Sequence, residues 1–70
     1  MTDHVYRVTE IVGTSPQGLD AAIRSGLDRA SKTLRNIDWF EVVSMRGHVK
    51  EGGIHHFQVT MKVGFRLDDD

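Results

Sequence analysis

The chain of 70 residues has no cysteine. This excludes a disulfide framework and any metal site built on thiolates. No uncharged run approaches the ~20 apolar residues that a membrane-spanning helix needs. Met1-Thr2-Asp3-His4 opens polar, unlike a signal segment, so a cytoplasmic location is the expectation. An excess of one charge is also missing. Nine Lys plus Arg against ten Asp plus Glu leave a formal net charge of -1, whereas a dedicated nucleic-acid binder relies on a basic surface to neutralise phosphates. Linkers, repeats and low-complexity stretches are absent apart from the acidic end Asp68-Asp69-Asp70. The span 1–70 therefore reads as a single domain.

What remains is an ordinary globular composition, 39% hydrophobic and 27% charged. So short a chain buries too little apolar area to offset easily the roughly 1.5 kcal/mol of ordering entropy per residue. Without disulfides, oligomerisation is the expected remedy.

The pattern predicts an α+β unit of β-α-β-β order. Val5 to Val12, rich in Val, Ile, Thr and Tyr, suits a strand, broken at Gly13-Thr14-Ser15. Ser15 followed by Pro16, the sole proline, predicts a helix start with a capping hydroxyl. Leu19, Ala22, Ile23, Gly26, Leu27, Ala30, Leu34 and Ile37 then recur at helical spacing, predicting one long helix, with Lys32 and Arg35 near its C-terminal end. The small Ala22, Gly26 and Ala30 predict a close approach to whatever the helix covers. Trp39 to Met45 reads as a second strand, ended by Arg46-Gly47, and Glu51-Gly52-Gly53 as a turn. Ile54 to Leu67 alternates most clearly. Phe57, Val59, Met61, Val63, Phe65 and Leu67 form an apolar face; His56, Gln58, Thr60, Lys62, Gly64 and Arg66 form a polar one. This longest strand belongs in the centre, antiparallel to both others, giving sheet order 1-3-2 with the helix on one face.

A single helix leaves the other face of the sheet open. If Phe40 and Val42 meet the helix, then Trp39, Glu41, Val43 and Met45 stand on the open face. There Trp39 is either ordinary core, an anchor between subunits, or a stacking platform for a flat aromatic ligand. Strict alternation puts Arg46 on Phe40's side, so a bulge or the strand end, near Gly47, must re-aim it if it is to join Trp39. Arg66 shares Gln58's face, but eight residues of strand hold them roughly 27 Å apart. They cannot grip one small ligand from within one subunit. Arg66 also reads simply as a surface charge paired with the acidic end. His55 and His56 are adjacent and so point to opposite faces, which makes no two-histidine metal site, and no metal is expected. No glycine-rich phosphate loop, cysteine nucleophile, Ser-His-acid set or paired carboxylates emerges.

The chain resembles the dodecins, small flavin-binding proteins that assemble as hollow dodecamers. The resemblance rests on Val12-Gly13-Thr14-Ser15, the helix, Asp38-Trp39-Phe40-Glu41-Val42, Phe57-Gln58-Val59 and Val63-Gly64-Phe65-Arg66-Leu67, in that order over nearly the whole chain. It implies that tryptophans of symmetry-related subunits sandwich a pair of isoalloxazine rings. Trp39 matches the sandwiching position, and Gln58 the glutamine that bonds the ring's polar edge. Arg46 matches an arginine near the bound flavin, and Asp38 and Arg66 count among the implied cofactor-binding residues. The chemistry suits these roles: indole stacks on an electron-poor ring, and an amide both donates and accepts. The resemblance therefore implies a homododecamer that stores, sequesters and photoprotects flavin. FMN is first in expectation, riboflavin and FAD are the alternatives, and coenzyme A is a further expected ligand, with Arg29 and Lys32 as the basic residues to serve it. Neither an enzyme nor a nucleic-acid or membrane partner is expected. The alternative is a structural module in which Trp39 only joins subunits.

Overall fold

The alternating segment does become the centre of the sheet. The structure, a computed structural model, describes residues 3–68. Met1-Thr2 of the polar start and Asp69-Asp70 of the acidic end lie outside the described residues. The elements follow the order β1 (Tyr6–Ser15), α1 (Leu19–Ala30), β2 (Ile37–Lys50) and β3 (Gly53–Arg66). They form one antiparallel sheet of order β1-β3-β2, with α1 on one face, as the pattern predicts.

Ala22, Val59, Met61 and Val63 are fully buried between helix and sheet, and Ile11, Ile23, Leu27 and Ile37 pack around them. The predicted close approach is real. A Cβ added at Gly13 would strike the Ala22 carbonyl, and one at Gly26 would meet the Met61 side chain and the Gly13 backbone. The helix thus rests on β1 where neither element carries a side chain, and Met61 fills the remaining gap.

Both helix boundaries differ from the sequence reading. Gly13-Thr14-Ser15 does not break β1, because these residues pair with Val59, Gln58 and Phe57. The Ser15 hydroxyl accepts from the Gln17 N–H at 3.1 Å. This local turn competes with helix capping, and α1 begins only at Leu19, its first bond running from the Ala22 N–H to the Gly18 carbonyl. At the other end Ser31 and Thr33 donate their hydroxyls back to the carbonyls of Asp28 and Ala30. The chain then reverses through Asn36 at φ 65°. Leu34 and Ile37 keep the helical spacing but lie beyond the helix, and Ile37 opens β2. Lys32 and Arg35 fall past its end, where Arg29 is the basic residue of the last turn.

The second strand also runs further than expected, since Arg46 and Gly47 pair with Gln58 and Phe57 and the ladder continues to Lys50. Glu51 and Gly52, both at positive φ, join it to β3 in a two-residue turn. β1 reaches only as far as Phe57. The outer part of the β2–β3 hairpin therefore projects past β1, and the chain measures 55 × 20 × 14 Å.

Phe40 and Val42 do lie on the helix side, paired with the buried Val63 and Met61. The helix, however, packs on β1 and β3. A helix about 10 Å wide spans two strands spaced about 4.8 Å apart, not three. Phe40 stays 43% exposed, and Val42 is exposed beside it.

Candidate functional site

The open face of the sheet is set by the pairing. On β3 it shows His56, Gln58, Thr60, Lys62, Gly64 and Arg66, the polar set expected. Opposite them on β2 stand His48 (His56), Arg46 (Gln58), Ser44 (Thr60), Glu41 (Lys62) and Trp39 (Gly64). The register slips between Val42 and Ser44, leaving Val43 in a bulge. A bulge reverses the alternation beyond it. Arg46 consequently joins Trp39's face, but the re-aiming happens at Val43 rather than at Gly47. The same slip corrects two other assignments. Met45 moves to the helix side opposite Val59, and Val43 leaves the regular open-face row.

Trp39 is on the open face as predicted, and Gly64 is what gives it its posture. A Cβ built at Gly64 would fall among the Cδ2, Cε2 and Cζ2 atoms of the indole. The ring therefore lies along the sheet over the glycine, and Trp39 stays 40% exposed. The sequence reading did not single out Gly64. A lone glycine within the clearest strand was the available signal, since it marks a close approach as often as a defect.

Around this ring the same end of the sheet gathers Tyr6, Asp38 and Arg66. Tyr6 pairs with Arg66 across β1 and β3. Asp38 sits in a second register slip, between Ile37 and Trp39. The Tyr6 phenol is raised above its ordinary pKa, chiefly by hydrogen bonding to Asp38, then by lost solvent and by the carboxylate's charge; Arg66 pulls the other way. Arg66 is not tied to the acidic end among the described residues. Asp68 instead accepts from Asn36 at 2.7 Å and pairs with Arg35 at 3.5 Å.

The residues implied for ligand binding do not converge within one chain. Trp39 pairs with Gly64, and Gln58 and Arg46 lie six residues further along β3, roughly 20 Å away. The open face thus carries two separate clusters: Trp39, Asp38, Tyr6 and Arg66 at one end, Gln58 and Arg46 at the other. Two concavities follow the helix, and a third of about 190 Å³ lies beyond its end, lined by residues such as Asn36, Arg66 and Asp68. Of the two along the helix, a broad one of about 890 Å³ is lined by residues such as Gln17, Arg24 and Asp28 with Ile37. A smaller one, between α1 and β1, has Gly13, Thr14, Arg29 and Lys32 on its walls. None of the three includes Trp39, Gln58 or Arg46.

The histidines also differ from expectation. His55 occupies the slip between the pairs His48–His56 and Val49–Ile54. It does not point to the face opposite His56, because its Nδ1 lies 2.7 Å from that of His56.

A family model described as Dodecin matches residues 5–68. The chain belongs to the dodecin family. A Thermus thermophilus protein named Dodecin is 54% identical over 65 residues, covering 93% of this chain and 94% of that protein. Among solved structures, a dodecin from Streptomyces davaonensis superposes with a TM-score of 0.95 at 66% identity, over 97% of this chain and all of that one. A dodecin from Streptomyces coelicolor gives 0.94 at 54%, with both chains fully covered. The dodecin fold therefore extends over essentially the entire described chain, with the same β-α-β-β order. No helix among the described residues is long and apolar enough to cross a membrane.

Proposed function

We propose that this chain binds a flavin, FMN first, between tryptophans of two symmetry-related copies in a closed homododecamer, and so stores, sequesters and photoprotects it. The observation that carries this reading is the Trp39 indole laid along the sheet over Gly64 with much of the residue exposed. A flat ring held on glycine is already in the posture that offset stacking needs, so little ordering is lost on binding. Gln58 supplies the paired donor and acceptor for the ring's edge, but roughly 20 Å away. Another copy must then bring a Gln58 and Arg46 cluster to each Trp39, which agrees with a site that is a face rather than a pocket of one chain.

The chain's own chemistry in this reading is simple. Trp39 stacks on the ring. It also donates an electron to a photoexcited flavin and recovers it, returning the dye to its ground state before side reactions begin. Gln58 orients the edge; Arg46, Arg66 and Asp38 surround the polar tail or ring. A doubled stack leaves no ring face for a substrate, so the role is binding rather than catalysis, in the cytoplasm. Riboflavin and FAD present the same ring and compete for the same face. Coenzyme A, if taken, belongs to the Arg29 and Lys32 side of the helix cleft.

The test is an FMN titration followed by quenching of flavin emission, with sedimentation of the same sample. The parent is expected to quench FMN and to sediment far above 7.9 kDa. Trp39→Ala is expected to keep the assembly and lose about 1–3 kcal/mol for each stacking platform removed. A second reading, in which Trp39 only joins subunits, draws on the exposed Val8, which stands across Gly64 from Trp39 on the open face. It predicts instead that Trp39→Ala falls apart into small species, and that the parent never quenches FMN.

A further inference from the structure

The sequence carries four histidines, and His48, His55 and His56 gather on the projecting part of the β2–β3 hairpin. His48 and His56 are direct partners in the ladder. Their rings stack with centroids 4.5 Å apart and planes inclined by 17°. His55 meets His56 edge-on, with its Nδ1 2.7 Å from the Nδ1 of His56. We infer that His48 and His56 form a two-imidazole site for a borderline transition-metal ion, Zn²⁺, Ni²⁺ or Cu²⁺, with His55 as the group that sets the tautomer.

Paired residues on neighbouring antiparallel strands hold their Cβ atoms about 4.5–5.5 Å apart. Zn–N bonds of about 2.0–2.1 Å in a tetrahedral arrangement place the ligand nitrogens about 3.3 Å from one another. Rotating the two stacked rings about their side-chain torsions closes that gap with no movement of the backbone. One ring must donate in the His55–His56 bond. When His56 donates through Nδ1–H, its Nε2 carries the lone pair, and His55 becomes the outer partner that ligating histidines usually have.

The donor set decides the ion. Among the described residues no group of three or more His, Cys, Asp or Glu gathers to hold a metal, so water completes the coordination. Two nitrogens without a carboxylate exclude a Ca²⁺ or Mg²⁺ site and suit the imidazole-preferring metals. Arg46 shares this face two residues along β2, and its charge keeps the affinity modest.

Untagged, flavin-free protein is titrated with ZnCl₂ and NiCl₂ by calorimetry, with CaCl₂ and MgCl₂ as controls. One Zn²⁺ or Ni²⁺ per chain is expected, with no heat from the controls. His48→Gln and His56→Gln are each expected to abolish saturable binding, and His55→Gln to weaken it by about tenfold. Circular dichroism and sedimentation should be unchanged. If a variant loses its fold or assembly, histidine ¹⁵N resonances of the parent decide instead: Zn²⁺ must shift His48 and His56 Nε2 and leave His4 unmoved. No binding by the parent, undiminished binding by the His48→Gln/His56→Gln double variant, or resonances that shift only elsewhere would each overturn the assignment.

Discussion

The corner where α1 covers β1 and β3 and the outer half of the β2–β3 hairpin are built from the same residue types. In the covered corner Val59, Met61 and Val63 are fully buried against Ala22. In the outer hairpin Val49 and Ile54 pair with each other and stay 73% and 65% exposed. Alternation along a strand therefore tells which side seeks an apolar partner. It does not tell whether that partner belongs to the same chain. The helix satisfies the corner; the hairpin and the flank of β2 at Phe40 and Val42 are left for something else to cover.

The largest effect expected from this contrast is at Met61. Met61→Ala removes a fully buried side chain and should cost about 2–5 kcal/mol, read as a lower thermal midpoint. Ile54→Thr touches no intrachain core and should change the stability of an isolated chain by about 0.5 kcal/mol or less. On the assembly reading it should instead shift sedimentation toward smaller species. Equal destabilisation of single chains by both substitutions would erase the contrast.

The two ends of the open face can be separated next. Gln58→Leu leaves flavin polar groups facing hydrocarbon and should cost about 1–3 kcal/mol, equally for riboflavin, FMN and FAD, since all three share the ring edge. Arg46→Ala should weaken FMN more than riboflavin if it meets the phosphate, and that difference should shrink in high salt. At the other end Gly64→Ala keeps the indole but forces it off its seat, for an expected loss of about 0.5–1.5 kcal/mol in flavin affinity, the cost of an off-rotamer side chain. An unchanged titration there would separate the indole's posture from binding.

The smallest effect concerns pH. His56 has its pKa lowered in the folded chain, so its contribution to stability is present above the ordinary histidine value of about 6.5 and is lost as pH falls through the folded value. Protection factors of the outer-hairpin amides, each exchange rate referred to the intrinsic rate at the same pH, should fall on acidification, and His56→Gln should flatten that dependence.

The element order, the 1-3-2 sheet and β3's faces were legible because β3 alternates without interruption and the helix stripe has an unmistakable period. The helix start was misplaced because Ser15-Pro16 carries a capping signature that the serine spends on Gln17 instead. Its end was misplaced because Leu34 and Ile37 keep the period after the backbone has turned at Asn36. The open-face assignment of Trp39 and Gln58 was readable from alternation alone. Arg46's was not, since no glycine or proline marks the bulge at Val43. The wide gap between Trp39 and Gln58 needed the β2–β3 register, which three slips obscure in the sequence.

That gap has a consequence for how such a site empties. On the proposed reading, the two halves of each site arrive on different copies, so occupancy depends on the concentration of chains as well as of ligand. Dilution or slowed synthesis would discharge the ligand with no change in its intrinsic affinity, and abundant ligand would in turn hold the copies together. A store divided in this way has a threshold: below a certain number of chains it holds almost nothing, and above it capacity rises more steeply than the protein does.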